Sequence, residues 1–496
     1  MGGGFGPRPL YPRRVTVVEL GLYALLLAAA AIAVWRRPLV ALYVFVVGLA
    51  LHNAVMAALY AAGVRGSTLT AITAWKEILL AVALAHVGLE AWRARRLPFR
   101  FALVDWLALA FAALVVLYAF IPQSALDGLA GHKAVALALR HDLVPVAAYF
   151  LGRSLLVRSV DLRRLGWTLL GVAALVAGIG LIDVYAVSIS WWRTNAVIDY
   201  FHRHLGYNYH GTGVRTEPDG SVYGLPENFI YNVGGDKPFL RRLVSTFLSP
   251  LASGYLFVVA LLLAAHRRWT ALALAVLAGA GLLWTFSRSS LVALAGGLVV
   301  LAAIRRRPAE LAAAVAVIGI AIGWAHVFPK IGPTGTFTKV DLKYQQAIGK
   351  NGPKDFSAAS TSEPSLHEHW LALKDGVHTM IHHPQGYGLG NVGQTASRTG
   401  TPLKAGESNY TELGVELGVL GALLWLAWGL AVLIGLVRKR ESRMAAAFAA
   451  ILALAVQTDV IGDPWVAYCV WALAGALLTR PQERLATVPA AAVASA

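Results

Sequence analysis

Glu407-Ser408-Asn409-Tyr410 leads through Gly418 and Gly421 into GALLWLAWGLAVLIGLV at 421–437. A hydrophilic segment here re-enters an apolar run, 411–437, longer than the roughly 20 residues that cross a bilayer. The stretch sets a carboxylate, a polar neighbour and a small-residue helix face at the point where the chain meets lipid. Read outward from it, the rest of the sequence is a series of similar runs. They lie near 15–35, 39–63, 69–91, 101–121, 140–157, 166–187, 243–265, 269–286, 289–304, 308–328, 444–459 and 464–479. With the first they make about thirteen spans.

Composition agrees. Of the 496 residues 57% are hydrophobic and 14% charged, against about 25% charged in a soluble domain. Mean hydropathy is +0.61. The runs are rich in Leu, Ala and Val without two-residue alternation, which predicts helices and not barrel strands. The expectation is an all-α, polytopic transmembrane bundle of about 12–13 helices. Residues 15–35 read as a retained first span, since the apolar region of a cleaved signal is shorter. The single cysteine, Cys469, sits in an apolar run and forms no internal disulfide.

A net charge of +17 raises nucleic acid as a partner, but the placement of the charge excludes it. The basic residues gather at helix ends: Arg36-Arg37, Arg93 to Arg100, Arg158 to Arg164, Arg267-Arg268, Arg305-Arg306-Arg307, Arg438 to Arg443, and Arg480 with Arg484. With thirteen spans these clusters fall on one side, the positive-inside pattern of a cytoplasmic face. Arg13-Arg14 alone conflicts. The chain then divides into N-terminal helices (1–187), an extracytoplasmic loop (188–242), central helices (243–328), a large extracytoplasmic loop (329–410), C-terminal helices (411–480) and a cytoplasmic tail (481–496). The tail is Ala-rich from about 486.

Loops of that length are functional or disordered. Both carry aromatic residues and scattered charge, which predicts partly folded caps. In the second, Ser365 to Glu368 is a capping box, and Leu366, Trp370, Leu373, Val377 and Met380 follow at helical spacing. That helix stops at His383-Pro384 and lies on the membrane surface or under the other loop. Gly386-Tyr387-Gly388-Leu389-Gly390 then forms a tight, backbone-exposed turn. It lacks the strand and helix that a nucleotide-binding glycine motif needs.

Charge also reaches the side opposite the arginine clusters. Arg241-Arg242 precede the helix at Leu243, Arg288 stands in Ser287-Arg288-Ser289-Ser290 between two runs, Glu407 opens the 411–437 helix, and Asp459 and Asp463 bracket the last turn. Ionisable groups near a membrane interior are functional candidates. The plainer readings are a snorkelling anchor for Arg241, a helix cap for Asp459 and an ion-pair partner for Glu407. Lys76-Glu77 within a span reads equally as a buried ion pair or a transport site. His202, His204 and His210 lack a completing ligand, so no metal site is expected.

Arg242-Leu-Val-Ser-Thr-Phe-Leu-Ser-Pro250, Thr285-Phe-Ser-Arg288-Ser-Ser, His383-Pro-Gln-Gly-Tyr-Gly-Leu-Gly390 and Glu407-Ser-Asn-Tyr with Gly418/Gly421 together resemble the O-antigen ligase and polymerase superfamily. The resemblance covers roughly residues 140–480. It implies a GT-C-like fold and an integral-membrane glycosyltransferase of the bacterial cytoplasmic (inner) membrane, with its site on the extracytoplasmic side. It also implies an undecaprenyl-diphosphate-linked glycan donor, a glycan or glycolipid acceptor, inversion at the anomeric centre, and no metal or other cofactor. Membrane lipid and a chain-length regulator are the further partners. At the first position of the ligase pattern, a histidine in the family, this chain has Glu407, with Ser408 at the next. That departure counts against the ligase branch and leaves the proton-accepting role intact.

On this reading Arg288 and Arg242 stabilise the departing diphosphate, a task suited to a planar, permanently charged guanidinium. Glu407 takes the proton of the acceptor hydroxyl. Arg241, His383, Lys404 and Asp459 bind or orient substrate, and Trp191, Trp192, Tyr207 and Tyr209 offer sugar platforms. The expected activity is polymerisation of lipid-linked repeat units. Ligation to a lipid acceptor is the first alternative, and transport of a lipid-linked oligosaccharide the second.

Overall fold

The computed structural model describes residues 17–206, 215–216, 222–225, 229–231, 238–264, 268–339, 342, 364–404 and 406–479. Arg13-Arg14, Tyr207, Tyr209, His210, Arg267, the side chain of Ser365, Arg480, Arg484 and the Ala-rich tail lie outside them.

The molecule is an all-α bundle with a few two- and three-residue strands. Its helices are α1 (Val17–Arg36), α2 (Leu39–Ala61), α3 (Gly66–Thr73), α4 (Trp75–Ala94), α5 (Leu103–Phe120), α6 (His132–Ser154), α7 (Ser159–Ala186), α8 (Ile189–Thr194), α9 (Ala196–Asp199), α10 (Pro250–Leu263), α11 (Trp269–Trp284), α12 (Arg288–Arg305), α13 (Pro308–Ile331), α14 (Pro364–His382), α15 (Gly393–Thr399), α16 (Asn409–Arg438), α17 (Ser442–Leu454) and α18 (Trp471–Thr479), the last preceded by a π turn, Val466–Val470. Among the described residues seven helices are long and apolar enough to cross a membrane, α3 and α4 form one bent pair, and five shorter apolar helices complete the bundle. Each of these thirteen segments overlaps one of the apolar runs of the sequence. The chain is a membrane protein.

Ion pairs pin the arginine-rich face. Arg153 grips Asp105 through two bonds, Nε to Oδ1 at 2.8 Å and Nη2 to Oδ2 at 2.9 Å, and reaches Thr479 and the Arg100 carbonyl. Arg37 meets Asp161 at 2.8 Å, and Arg305 donates to Ser442. Between the two faces, large rings fill the core: Trp425, Trp428 and Trp471 are almost fully buried, with Trp428 stacked on Trp471 and Trp425 edge-on to Trp428.

At the opposite face two departures from regular spans shape the molecule. The run expected to start at 243 begins as a helix only at Pro250, capped by Ser249. Residues 243–248 form a buried, unwound segment with a left-handed backbone at Ser245 and Leu248. Irregular backbone at this depth must find its hydrogen bonds inside the protein. Leu243 N–H donates to the Trp284 carbonyl at 2.9 Å and the Ser253 hydroxyl to the Val244 carbonyl at 3.0 Å, while the segment's own hydroxyls tie it to its neighbours, Ser245 to the Val176 carbonyl and Thr246 to the Ala50 carbonyl, both 2.6 Å. Asn53 of α2 donates to the Phe247 carbonyl at 2.8 Å.

The second departure is the break of α16 at Gly418, whose φ of 74° and ψ of 179° lie in a region that essentially only glycine adopts. The freed main chain is taken up by the glycine-rich turn. Tyr387 N–H donates to Val415 O at 2.7 Å, Gly388 N–H to Glu416 O at 2.9 Å, and Val419 N–H to Pro384 O at 2.9 Å. A Cβ on Gly418 would lie 2.3 Å from the Pro384 carbonyl, and one on Gly386 2.4 Å from the Gly418 nitrogen. The turn read from sequence as backbone-exposed is therefore buried, because the neighbouring helix opens to receive it. Gly418→Val should unseat it and destabilise the protein by about 1–3 kcal/mol, read as a lower Tm of the purified protein with loss of activity. An unchanged Tm would contradict this packing.

The two long loops meet. Strand β3 (Ile230–Tyr231) of the first pairs with β4 (Phe239–Arg241), which pairs with β5 (Thr334–Gly335) of the second. A separate pair, β1 (Arg215–Thr216) and β2 (Val222–Tyr223), belongs to the first loop. Helix α14 ends at His382, where His383-Pro384 was expected to stop it, and packs on the start of α16, with Met380 against Gly414. Leu366, Trp370 and Ile381 stay exposed, as on a helix lying along a bilayer surface.

Candidate functional site

Arg242 emerges from the unwound 243–248 segment, and its Nε donates to the Thr285 carbonyl at 2.9 Å. Thr285 begins the turn that enters α12. Phe286 takes a left-handed backbone, Ser287 caps the helix by accepting from Ser290 N–H, and Arg288 is its first residue. The Arg288 guanidinium lies 5.7 Å from the ring of Tyr231. Two half-buried arginines thus bracket the N-terminus of one helix. The helix dipole and the unfilled N–H groups there add positive potential to theirs. A turn of this kind can receive an anion.

Arg241 is placed differently. Its buried guanidinium donates to the Val184 and Val187 carbonyls and lies 3.7 Å from Asp183. It closes the end of α7, as a scaffold residue does. Trp192, also expected in sugar binding, is buried and donates to Asp183 at 2.7 Å, while Trp191 stays exposed.

Glu407 stands at the entrance of α16, half-buried, 3.0 Å from Nδ1 of His369 on α14. Ser408 caps the helix. Asn409 ties it to the turn after α17: its side chain donates to Asp459 Oδ1 and accepts from Val460 N–H. Asp459 also meets Nε2 of His141 at 3.0 Å, and Asp142 meets Nδ1 of the same ring at 2.7 Å. Glu416, one turn below Glu412, accepts from Gly390 N–H at 2.8 Å. His141, Asp142, Asn409, Glu412, Glu416 and Asp459 line a cavity of about 10 Å³, room for about one water. Burial works to raise the Asp459 carboxyl, but His141 and the bonds from Gly462 and Asn409 hold it below the ordinary range. Asp463, buried beside it, is pushed up to about 7. Among the described residues no group of three or more His, Cys, Asp or Glu side chains is arranged to hold a metal ion.

Tyr255 of α10 sits against Thr458, within the field of both Asp459 and Arg242. His383 stacks on Tyr387 at 3.9 Å and faces Asp127 at 3.5 Å, and Lys404 Nζ lies 4.3 Å over the same tyrosine ring.

Residues 273–426, which contain Arg288, His383, Lys404 and Glu407, match the family model described as O-antigen ligase. The match covers about a third of the chain and makes this stretch similar to that family's domain. No curated protein matches the chain. The matched stretch runs from α11 to the upper half of α16, so it includes the Thr285–Arg288 turn, the break at Gly418 and Glu412 with Glu416. It supports a place in the O-antigen ligase and polymerase superfamily, whose members are membrane enzymes of glycosyl transfer. Arg242, His141 and Asp459 lie outside the matched residues and are brought to it by the fold.

The sequence reading passed over His141, Asp142, Glu412 and Glu416. A span starting at 140 leaves Arg140-His141-Asp142 at the membrane surface. The helix starts at His132, which buries them about two turns deeper. Glu412 and Glu416, four apart in an apolar run, were the available signal.

Proposed function

We propose that this protein is an inverting, metal-independent glycosyltransferase on the outer face of a bacterial cytoplasmic membrane. It polymerises undecaprenyl-diphosphate-linked oligosaccharide repeat units, passing the growing chain to the next lipid-linked unit. The observation that carries this reading is the pair Arg242 and Arg288 at the N-terminus of α12, inside or beside the stretch that matches the O-antigen ligase family.

The chemistry follows from those groups. As the bond between the anomeric carbon and the diphosphate oxygen breaks, negative charge grows on the leaving group. Two preorganised guanidiniums and a helix N-terminus stabilise that charge without rearranging, the largest kind of contribution an active site makes. The acceptor hydroxyl attacks the opposite face of the anomeric carbon, and its proton passes to Glu407. His383, Lys404 and the Tyr387 ring form the adjoining sugar-binding rim, with Asp459 fixing the α16 entrance through Asn409. The polyprenyl tail runs in lipid along the bundle. Ligation of finished polymer to a lipid acceptor is the second reading, favoured by the description of the matching family.

Purified protein in lipid nanodiscs, given synthetic polyprenyl-diphosphate repeat units, should produce a ladder of lengthening products. Transfer only onto an added glycolipid would establish the ligase instead. Unchanged substrate would remove both and leave transport, with the bent α3–α4 span as its place. Excess chelator should leave the ladder intact; a requirement for added Mg²⁺ or Mn²⁺ would contradict the arginine-based scheme.

A further inference from the structure

Helix α14 touches α16 along one stripe. Gly376 seats against Thr411, where a Cβ would lie 2.8 Å from that of the threonine, and Gly414 makes room for the Met380 sulfur. At about 100° per residue, His369, Gly376 and Met380 fall within about 40° of one another on α14. The packing that seats the helix therefore turns His369 to the entrance of α16, where its Nδ1 lies 3.0 Å from Oε1 of Glu407. Beside this stripe Leu366, Trp370, Val377 and Ile381 fall within about 60° of one another and are exposed. Apolar residues so placed on an amphipathic helix rest on lipid. Held by α16 on one side and the bilayer on the other, α14 keeps His369 in place.

Glu407 is less constrained. It precedes Ser408, the cap of α16, outside any helix or strand, and its side chain is 41% exposed. A carboxylate that must meet one particular hydroxyl needs its rotamer fixed by a neighbour. The pair with His369 is too open to add much to stability, so what the contact supplies is orientation.

We propose that His369 is the positioning residue for Glu407: the imidazole, delivered by α14, holds the carboxylate in the orientation that receives the acceptor proton. This deepens the transfer reading above and rests on it. With its proton on Nδ1, the ring donates to Oε1 and leaves Oε2 for the acceptor hydroxyl. In the step, the acceptor oxygen bonds to the anomeric carbon, the bond to the diphosphate breaks with its electron pair going to phosphate, and the hydroxyl proton moves to Glu407. The exposed carboxyl then gives that proton to the surrounding water, which restores its charged form for the next turnover. His369 acts through Glu407 alone.

The test is a double-mutant cycle on full-length protein in nanodiscs, with a radiolabelled synthetic polyprenyl-diphosphate repeat unit so that slow variants are still measured. His369→Leu should lower kcat about 10-fold, with KM for the donor within about twofold and Tm unchanged. In a Glu407→Gln background the same substitution should change kcat by less than about twofold, because the group it positions is gone. His369→Asn, whose amide nitrogen falls near the place of Nδ1, should recover to within about threefold of wild type. Equal losses in the two backgrounds overturn the proposal, since a mere prop for α14 would behave that way. So does full turnover by His369→Leu, or no recovery in His369→Asn. Should His369→Leu fail to fold, His369→Ser takes its place in the cycle. Absence of turnover in wild type removes the transfer reading and the positioning role with it. Turnover in wild type with equal losses in both backgrounds removes the positioning role alone.

Discussion

Arg288→Ala lowers glycosyl transfer by about 10²–10³-fold, the cost of removing one preorganised donor from a developing anion. The protein still inserts and melts as wild type does, because Arg288 is half-buried at the first position of α12 and the Ser287 cap that starts the helix is untouched. Arg288→Lys recovers part of the rate and not all of it, since an ammonium restores the charge without the planar fork that holds two phosphate oxygens. The comparison is made on kcat, with thermal melting of each variant alongside. Wild-type product lengths from Arg288→Ala would remove Arg288 from the chemistry.

Glu407→Gln gives the second large effect, a fall in kcat of about 10²–10⁴-fold, the range of a positioned proton acceptor. Glutamine keeps the size of the side chain and a polar contact with His369, so donor KM stays near wild type. Glu407→His retains more activity than Glu407→Gln, because a neutral imidazole still accepts a proton. Full turnover by Glu407→Gln would reduce the pair with His369 to a structural contact.

The fold was legible because lipid imposes a length and a composition on a span: among the described residues seven helices meet both, and the other apolar runs appear as one bent pair and five shorter helices. What hydropathy could not show was where a run is helical. Residues 243–248 read as part of an apolar run, yet they leave the helix because Ser253 and Asn53 take up the Val244 and Phe247 carbonyls. Gly418 was read as part of a small helix face, and its service is the opposite: it breaks α16 so that 384–390 can dock. The site was legible in the same uneven way. Arg242 and Arg288 stood out in the sequence because arginine is rare on the side away from the basic clusters, and the fold brings both to one turn. Arg241 carries the same sequence signal, but its guanidinium faces the end of α7. Adjacent residues on a strand point to opposite sides, and β4 ends at Arg241. His141 and Asp142 went unread for a simpler reason: a start for α6 eight residues too late places them outside the bilayer's interior.

The direct test of whether the α12 entrance and the α16 entrance serve one substrate is photocrosslinking. A lipid-diphosphate donor carrying a diazirine on its first sugar is irradiated on the purified protein, and the adducts are mapped by mass spectrometry. The account predicts labelled peptides from both the Thr285–Arg288 turn and the segment around Glu407 and Glu412, lost together when unlabelled donor competes. Adducts confined to the arginine-rich face, or to one of these two segments alone, would contradict it.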